Sequence, residues 1–214
     1  EIRNGVMGRD YSTKFSKYLS LGRLNVRFLF NYIKDYEEKV GANKSTYWLV
    51  FELLWREFFY WSYQEHQKKF FSLNGLGDDL DFSDFNEKED YGFLFKDDPF
   101  MLACYGELRE SGFISNRFRQ VFASSFIHYY QRDWREGAFL FEQLLVDYDV
   151  FSNWGNWQYL AGVGHDPRSR VFNVLKQIKN YDQDYSYIKS WSLFDSKVEI
   201  ETKLKKIYSG FPLD

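Results

Sequence analysis

Between Thr46 and Phe71 the chain runs without a glycine or a proline and is apolar on nearly every helical face. Tyr47, Phe51, Leu54, Phe58 and Trp61 form one apolar stripe at helical spacing. A surface helix is polar opposite such a stripe. Here the other faces carry Trp48, Glu52, Trp55, Arg56 and Phe59. The pattern predicts a central helix buried on most sides. Glu52 and Arg56 stand at i and i+4, a spacing that permits an ion pair. A buried pair is costly without further partners. Two readings stay open: a core helix with an internal salt bridge, or a helix lining a cavity for a flat, polar ligand.

The remaining periodicity is also helical. Leu24, Phe28 and Tyr32 repeat every four residues, as do Val121, Ser125 and Tyr129, and again Leu140, Leu144 and Tyr148. Only three of 214 residues are proline, so long helices go uninterrupted. Aromatic residues make up 22%, which mimics strand propensity, but helix-length periods outweigh it. Two stretches read as loops: Ser72–Asp98, with an acidic cluster at Asp78, Asp79, Asp81 and Asp84, and Gly162–Ser169. Neither shifts composition enough to divide the chain. We expect one all-helical domain over residues 1–191 and a tail over 192–214. In that tail Lys197–Tyr208 reads as a solvated amphipathic helix.

Several classes of function are disfavoured. No apolar run is long enough to span a membrane, and the N-terminus has no signal-peptide pattern, which predicts a cytoplasmic chain. The chain starts at Glu1 without an initiator Met and reads as cut from something longer. One cysteine, Cys104, allows neither an internal disulfide nor a Cys-based zinc site. His66, His128 and His165 match no metal-binding spacing. With 28 basic against 31 acidic residues, the net charge of −3 gives no globally basic nucleic-acid binder. A locally basic groove stays open.

Two more runs concentrate chemistry. In Gly112–Gln120, Ser115 and Asn116 are candidate caps for a following helix, and Arg117 and Arg119 crowd its first turn, where the dipole favours anions. In Asp147–Tyr159, two carboxylates, three side-chain amides and two tryptophans share thirteen positions. The carboxylates suit acid–base work, magnesium binding, ligand hydrogen bonds or helix capping. Trp134, Trp154 and Trp157 are ordinary core residues by type.

Together with an N-terminal stretch, these runs resemble the photolyase/cryptochrome family, nearest its DASH branch. Asp10-Tyr11-Ser12-Thr13-Lys14-Phe15-Ser16 is similar to the family's flavin-phosphate loop, and the leading Arg3-Asn4-Gly5…Gly8…Asp10-Tyr11 resembles the DASH branch. Phe51–Glu57, Ser115–Gln120, Asp133–Gly137, Asp147–Gln158 and Arg170–Asn173 follow in register. The resemblance runs from about Glu1 to Trp191. It implies the helical FAD-binding half of the family without the N-terminal α/β antenna domain, which is then separate or missing.

The resemblance also implies roles. Ser12, Thr13, Lys14, Phe15 and Ser16 would grip the FAD phosphates, and hydroxyls with backbone N–H groups before a helix suit an anion. Arg119, paired with Asp147, would lie beside the flavin. Asp149 would contact the ribityl–flavin region. Asn153 would face the ring nitrogen that changes protonation on reduction. Glu52 and Trp55 would hold a pyrimidine dimer, with Arg56, Asn116 and Gln120 around the lesion; Glu52, Arg56 and Asn116 also border the cofactor. Trp157 and Trp134 match the inner and middle members of the family's electron relay.

The activity implied is blue-light repair of cyclobutane pyrimidine dimers by an electron from reduced FAD, with single-stranded or distorted DNA the easier substrate. The alternative is a cryptochrome-like light or redox sensor that binds FAD without repair. A helical scaffold that has lost FAD is a third reading, opposed by the intact cofactor set. Two departures bear on the choice. Leu80–Tyr91 has no tryptophan for the relay's outer member and offers only Tyr91, Phe82 and Phe85. The bulkier Pro99–Gly106 replaces the family's small residues beside the lesion, which predicts a narrower cavity.

Overall fold

The computed structural model describes residues 5–7, 11–87, 89–168 and 170–210. Arg3, Asn4, Gly8 and Asp10 of the loop motif lie outside the described residues. Among those described there are helices and no strand. The elements are α1 (Ser16–Ser20), α2 (Val26–Val40), α3 (Lys44–His66), α4 (Tyr91–Leu94), α5 (Pro99–Ser111), α6 (Asn116–Ser124), α7 (Trp134–Leu144), α8 (Val150–Ala161), α9 (Val174–Tyr181), α10 (Ser186–Trp191) and α11 (Lys197–Tyr208). A 3-10 turn, Gln67–Phe71, follows α3, and a π turn, Ser125–Tyr129, continues α6.

The long helices start where a short polar side chain satisfies first-turn N–H groups. Asn25 accepts from Arg27 and Phe28 before α2, and Asn43 forms a capping box with Thr46 before α3. Asp98, Ser115, Asp133 and Asp149 do the same for α5, α6, α7 and α8. Of the two cap candidates at α6, Ser115 is the one used.

The apolar faces form one large core and one small one. The large core takes Phe100, Met101 and Leu108 from α5, Phe118 and Phe122 from α6, Trp134 and Phe141 from α7, and Trp154 and Trp157 from α8. The small core is Leu29, Ile33 and Leu53, where α2 lies against α3.

Three expectations need correction. First, α3 is not buried on most sides. It rests on α8 and α2, and the stripe expected to face the core points to solvent, with Leu54 61% and Trp61 64% exposed. The buried residues are Thr46, Leu53, Phe59 and Ser62, on another face. On a helix apolar all round, periodicity has no contrast to select a face; the neighbours select it. Second, Phe28 and Tyr32 of the α2 repeat are exposed, and Leu29 and Ile33 do the packing. Third, α11 is amphipathic as expected, but it is no solvated tail. Ile200, Leu204 and Tyr208 enter the large core, and the Tyr208 hydroxyl donates to the buried Asp98 carboxylate, which also accepts from Tyr130 at 3.0 Å.

Candidate functional site

Helix α8 presents polar side chains at Asp149, Ser152, Asn153 and Asn156, which is i, i+3, i+4, i+7, with Trp157 beside them. This stripe forms one wall of a cleft with about 540 Å³ of empty space. Asn116, Arg119 and Gln120 from α6 form the facing wall, and Asp147, Phe141 and Leu145 close it. Seven residues singled out from sequence therefore share one cleft: Asn116, Arg119, Gln120, Asp147, Asp149, Asn153 and Trp157. The Asp147–Tyr159 run supplies most of them because one loop and one helix carry it.

The charged groups are held in place. Arg119 Nη2 reaches both Asp147 oxygens, at 3.1 and 3.0 Å, and its Nε donates to the Ile114 carbonyl at 2.8 Å. Asp147 is nearly buried, and the two anchors, Nη2 on Asp147 and Nε on the Ile114 carbonyl, together fix the guanidinium plane. Asp149 does double work: one oxygen caps α8 by accepting from Ser152 N at 2.9 Å, and the other lies 3.5 Å from Arg56 Nη2. Arg56 also contacts Glu57 at 3.2 Å. Asn153, which lines the cleft, donates its side-chain N–H to the Ala138 carbonyl at 2.9 Å.

Two close approaches set these positions. A Cβ on Gly137 would stand 2.2 Å from the Trp157 ring, so only glycine lets that indole lie on α7. A Cβ on Gly155 would stand 2.2 Å from Phe59, so α3 and α8 meet closely there. That contact brings Arg56 to Asp149. Trp55 packs on Phe58, Phe59 and, across to α8, Tyr159 at 6.3 Å between ring centres. Glu52, one turn earlier on α3, is exposed.

The expected phosphate loop reaches the other flank of Arg119. Lys14 has a left-handed backbone (φ 58°), and its N–H donates to Ser12 Oγ at 3.2 Å. Its ammonium sits 3.9 Å from the Phe113 ring centre, and the Arg119 guanidinium lies 5.1 Å from the same ring. Thr13 is exposed, and Phe15 packs against the small core. Ser16 opens α1.

Trp157 lies against Phe126 and Phe141. Trp134 meets Trp154 edge-on at 5.6 Å and donates its indole N–H to the Leu73 carbonyl at 2.8 Å. Of the aromatic residues in the Leu80–Tyr91 segment, Tyr91 is buried against Phe95, Tyr105 and Phe126, while Phe82 is half exposed. Within Pro99–Gly106, the residues Pro99, Phe100, Met101 and Ala103 are buried in the core, and none of the stretch lines this cleft. Sequence reasoning passed over Tyr148, Ser152 and Asn156 as lining residues. The polar period on α8 was the signal for the last two.

The cleft's chemistry fits FAD. Aromatic and aliphatic side chains line it, amides and carboxylates offer both donors and acceptors, and two cations, Lys14 and Arg119, meet at the Phe113 ring, a donor set that suits a flat ring system and a diphosphate. The chain matches the family model described as the FAD binding domain of DNA photolyase over residues 48–195. It is 46% identical over 207 residues to Cryptochrome DASH of Vibrio parahaemolyticus, covering 93% of this chain and 45% of that protein. It is 44% identical over 199 residues to Cryptochrome DASH of Danio rerio, covering 89% and 37%. The chain thus spans less than half the length of these curated relatives. Among solved structures it is similar to the Synechocystis cryptochrome, with 35% identity, a TM-score of 0.79, and coverage of 96% of this chain and 50% of that one. The helical architecture, the cleft and these likenesses agree, and the chain belongs to the photolyase FAD-binding family, with FAD as its cofactor.

Proposed function

We propose that this chain is the FAD-binding half of a DASH-type photolyase that repairs cyclobutane pyrimidine dimers in DNA. One observation carries the reading: Asn116, Arg119, Gln120, Asp147, Asp149, Asn153 and Trp157 line a single cleft, and Arg56 joins it to the helix that carries Glu52 and Trp55. Bound reduced FAD supplies, under blue light, the electron that splits the dimer.

The chain's residues do the holding. Ser12–Ser16 and Lys14 hold the phosphates, and the Arg119–Asp147 pair orients the ring system from one side. Asn153 faces the ring edge, while Asp149 and Asn116 fix the sugar-like chain. Trp55 stacks on the extruded bases, worth roughly 1–3 kcal/mol per base. Glu52 hydrogen-bonds the dimer and stabilises charge developing on it. Gln120 completes the lesion contacts, and Trp157 and Trp134 conduct electrons toward the cofactor. Single-stranded dimer DNA is the preferred substrate, because extruding a damaged base is cheapest there.

The test is blue-light repair of a thymine-dimer oligonucleotide by FAD-loaded protein. Glu52→Gln should cut repair at least tenfold with the flavin spectrum intact. Unchanged repair in that variant removes Glu52 from the mechanism. Full FAD loading with no repair by the unaltered chain favours the light-sensor reading.

A further inference from the structure

Tyr148, on the loop between α7 and α8, lines the cofactor cleft and has no role in it as described so far. Its hydroxyl donates to Glu142 Oε2 at 2.7 Å. The Trp154 indole Nε1–H donates to the same oxygen at 3.2 Å. Two oxidisable rings thus share one carboxylate oxygen. Glu142 is exposed, whereas Trp154 is nearly buried. Trp154 also borders a second, open cleft with about 1200 Å³ of empty space, walled by Phe71, Phe82, Phe85 and Arg135 among others. Of these side chains only the indole gives up an electron readily. Phenyl rings resist oxidation, and the guanidinium has no electron to offer. The three groups therefore run without a gap from the cofactor cleft, through a carboxylate open to water, to a second opening on the surface.

We propose that Tyr148, Glu142 and Trp154 form a redox path from the cofactor cleft to the second cleft, where a small thiol supplies the electron. The path is separate from Trp157 and touches Trp134 only where that ring meets Trp154, at 5.6 Å. The inference rests on the cofactor reading above. With light-excited oxidised flavin as the one-electron oxidant, an electron leaves the Tyr148 ring for the cofactor cleft, and the phenolic proton passes to Glu142. A positioned carboxylate at hydrogen-bond distance suits that transfer. Trp154 then gives one electron to Tyr148, which takes its proton back from Glu142. The oxidised indole loses its own Nε1 proton to the same carboxylate. A thiol returns one electron and one proton to Trp154, and Glu142 releases its proton to water. Two such turns convert one dithiol to a disulfide. Burial and the Glu142 carboxylate hold the Tyr148 proton above the usual phenol range, which agrees with a phenol that parts with its proton only on oxidation.

The test uses the chain carrying oxidised FAD, with dithiothreitol, blue light and no DNA. After a flash, transient absorption of the unaltered chain should show a tyrosyl radical that is missing in Tyr148→Phe. This measurement needs no change in the core. The unaltered chain should also show the infrared band of a newly protonated carboxyl and slower radical formation in D2O. Glu142→Gln keeps an acceptor for both donors but takes no proton, and it should lose both signals. A structural role for Glu142 predicts neither. In steady light, Trp134→Phe closes the other route, and flavin absorbance should still bleach. Adding Tyr148→Phe to that variant should slow the bleaching about tenfold. No tyrosyl radical in the unaltered chain, or bleaching in Trp134→Phe that Tyr148→Phe leaves unchanged, overturns the proposal. No FAD uptake is a different result: it defeats the cofactor reading itself, and this path with it.

Discussion

The α2–α3 hairpin and the α5–α8 body are both built from aromatic helices, yet they use them differently. In the body, Trp157, Phe118, Phe122 and Phe126 are buried on all sides. In the hairpin, Phe28, Tyr32, Leu54 and Trp61 lie open, and the buried set is Leu29, Ile33 and Leu53. The pairing of charges follows the same division. Arg119 and Asp147, within the body, make a two-point contact with Asp147 nearly buried, whereas Arg56 of the hairpin reaches Asp149 of the body at 3.5 Å with both groups partly in water. Of the residues assigned to the cofactor, Arg119, Asn153 and Trp157 thus sit on the well-packed helices of the body. Glu52 and Trp55, assigned to the lesion, sit on a more lightly packed element, the kind that opens locally at small free-energy cost.

The comparison breaks most directly at Trp157. Replacing it with Ala should cost about 3–5 kcal/mol in urea unfolding and abolish FAD uptake, since one side chain serves both core and cleft. A similar cost for Leu53→Ala would erase the distinction between the two regions. Gly137→Ala should cost about 1–3 kcal/mol by forcing the Trp157 ring off α7, and FAD should bind more weakly in titration.

A pH series sharpens the contrast, because the α5–α10 side of the body carries three carboxyls raised by burial, Asp98, Glu107 and Asp182. Glu107 stands at about 7 against an ordinary 4.5, and Asp182 at about 6 against 3.8, both through burial. The folded chain therefore holds these protons more tightly than the unfolded one. Their contribution is fully present below about pH 4 and is lost as pH rises through 7. Apo-protein stability in urea should fall by about 1–3 kcal/mol over that range, and Glu107→Gln should flatten the upper part.

Arg56→Gln should change stability least, by under about 1 kcal/mol, since the contact is long and solvated. Its effect should appear in binding of dimer-containing oligonucleotide, with FAD affinity nearly unchanged. Hydrogen exchange gives the gentlest test: amides of α2 should exchange faster than those of α7 and α8.

Much of this was legible in residues alone. The cap at Ser115, and capping as one role open to Asp149, were readable because the capping bond is local, made within three residues. The Asp147–Trp157 run is legible for the same reason: one loop and about two turns of helix hold its members together. The helical class, the cofactor motif and the Arg119–Asp147 pair all follow from short-range pattern or resemblance.

What the tertiary structure alone decided is which faces meet. Periodicity defines the sides of α3 but does not name a neighbour, so the exposed Leu54–Trp61 stripe, the Arg56–Asp149 contact and the close approach at Gly155 are absent from any local pattern. The place of α11 in the core is likewise set by Tyr208 meeting Asp98, 110 residues earlier in the chain. Glu107 is an ordinary helix glutamate until α10 brings the Tyr187 hydroxyl to it, 80 residues away in the chain. Its desolvation and this partner are products of contacts between distant segments, and no window of sequence contains them.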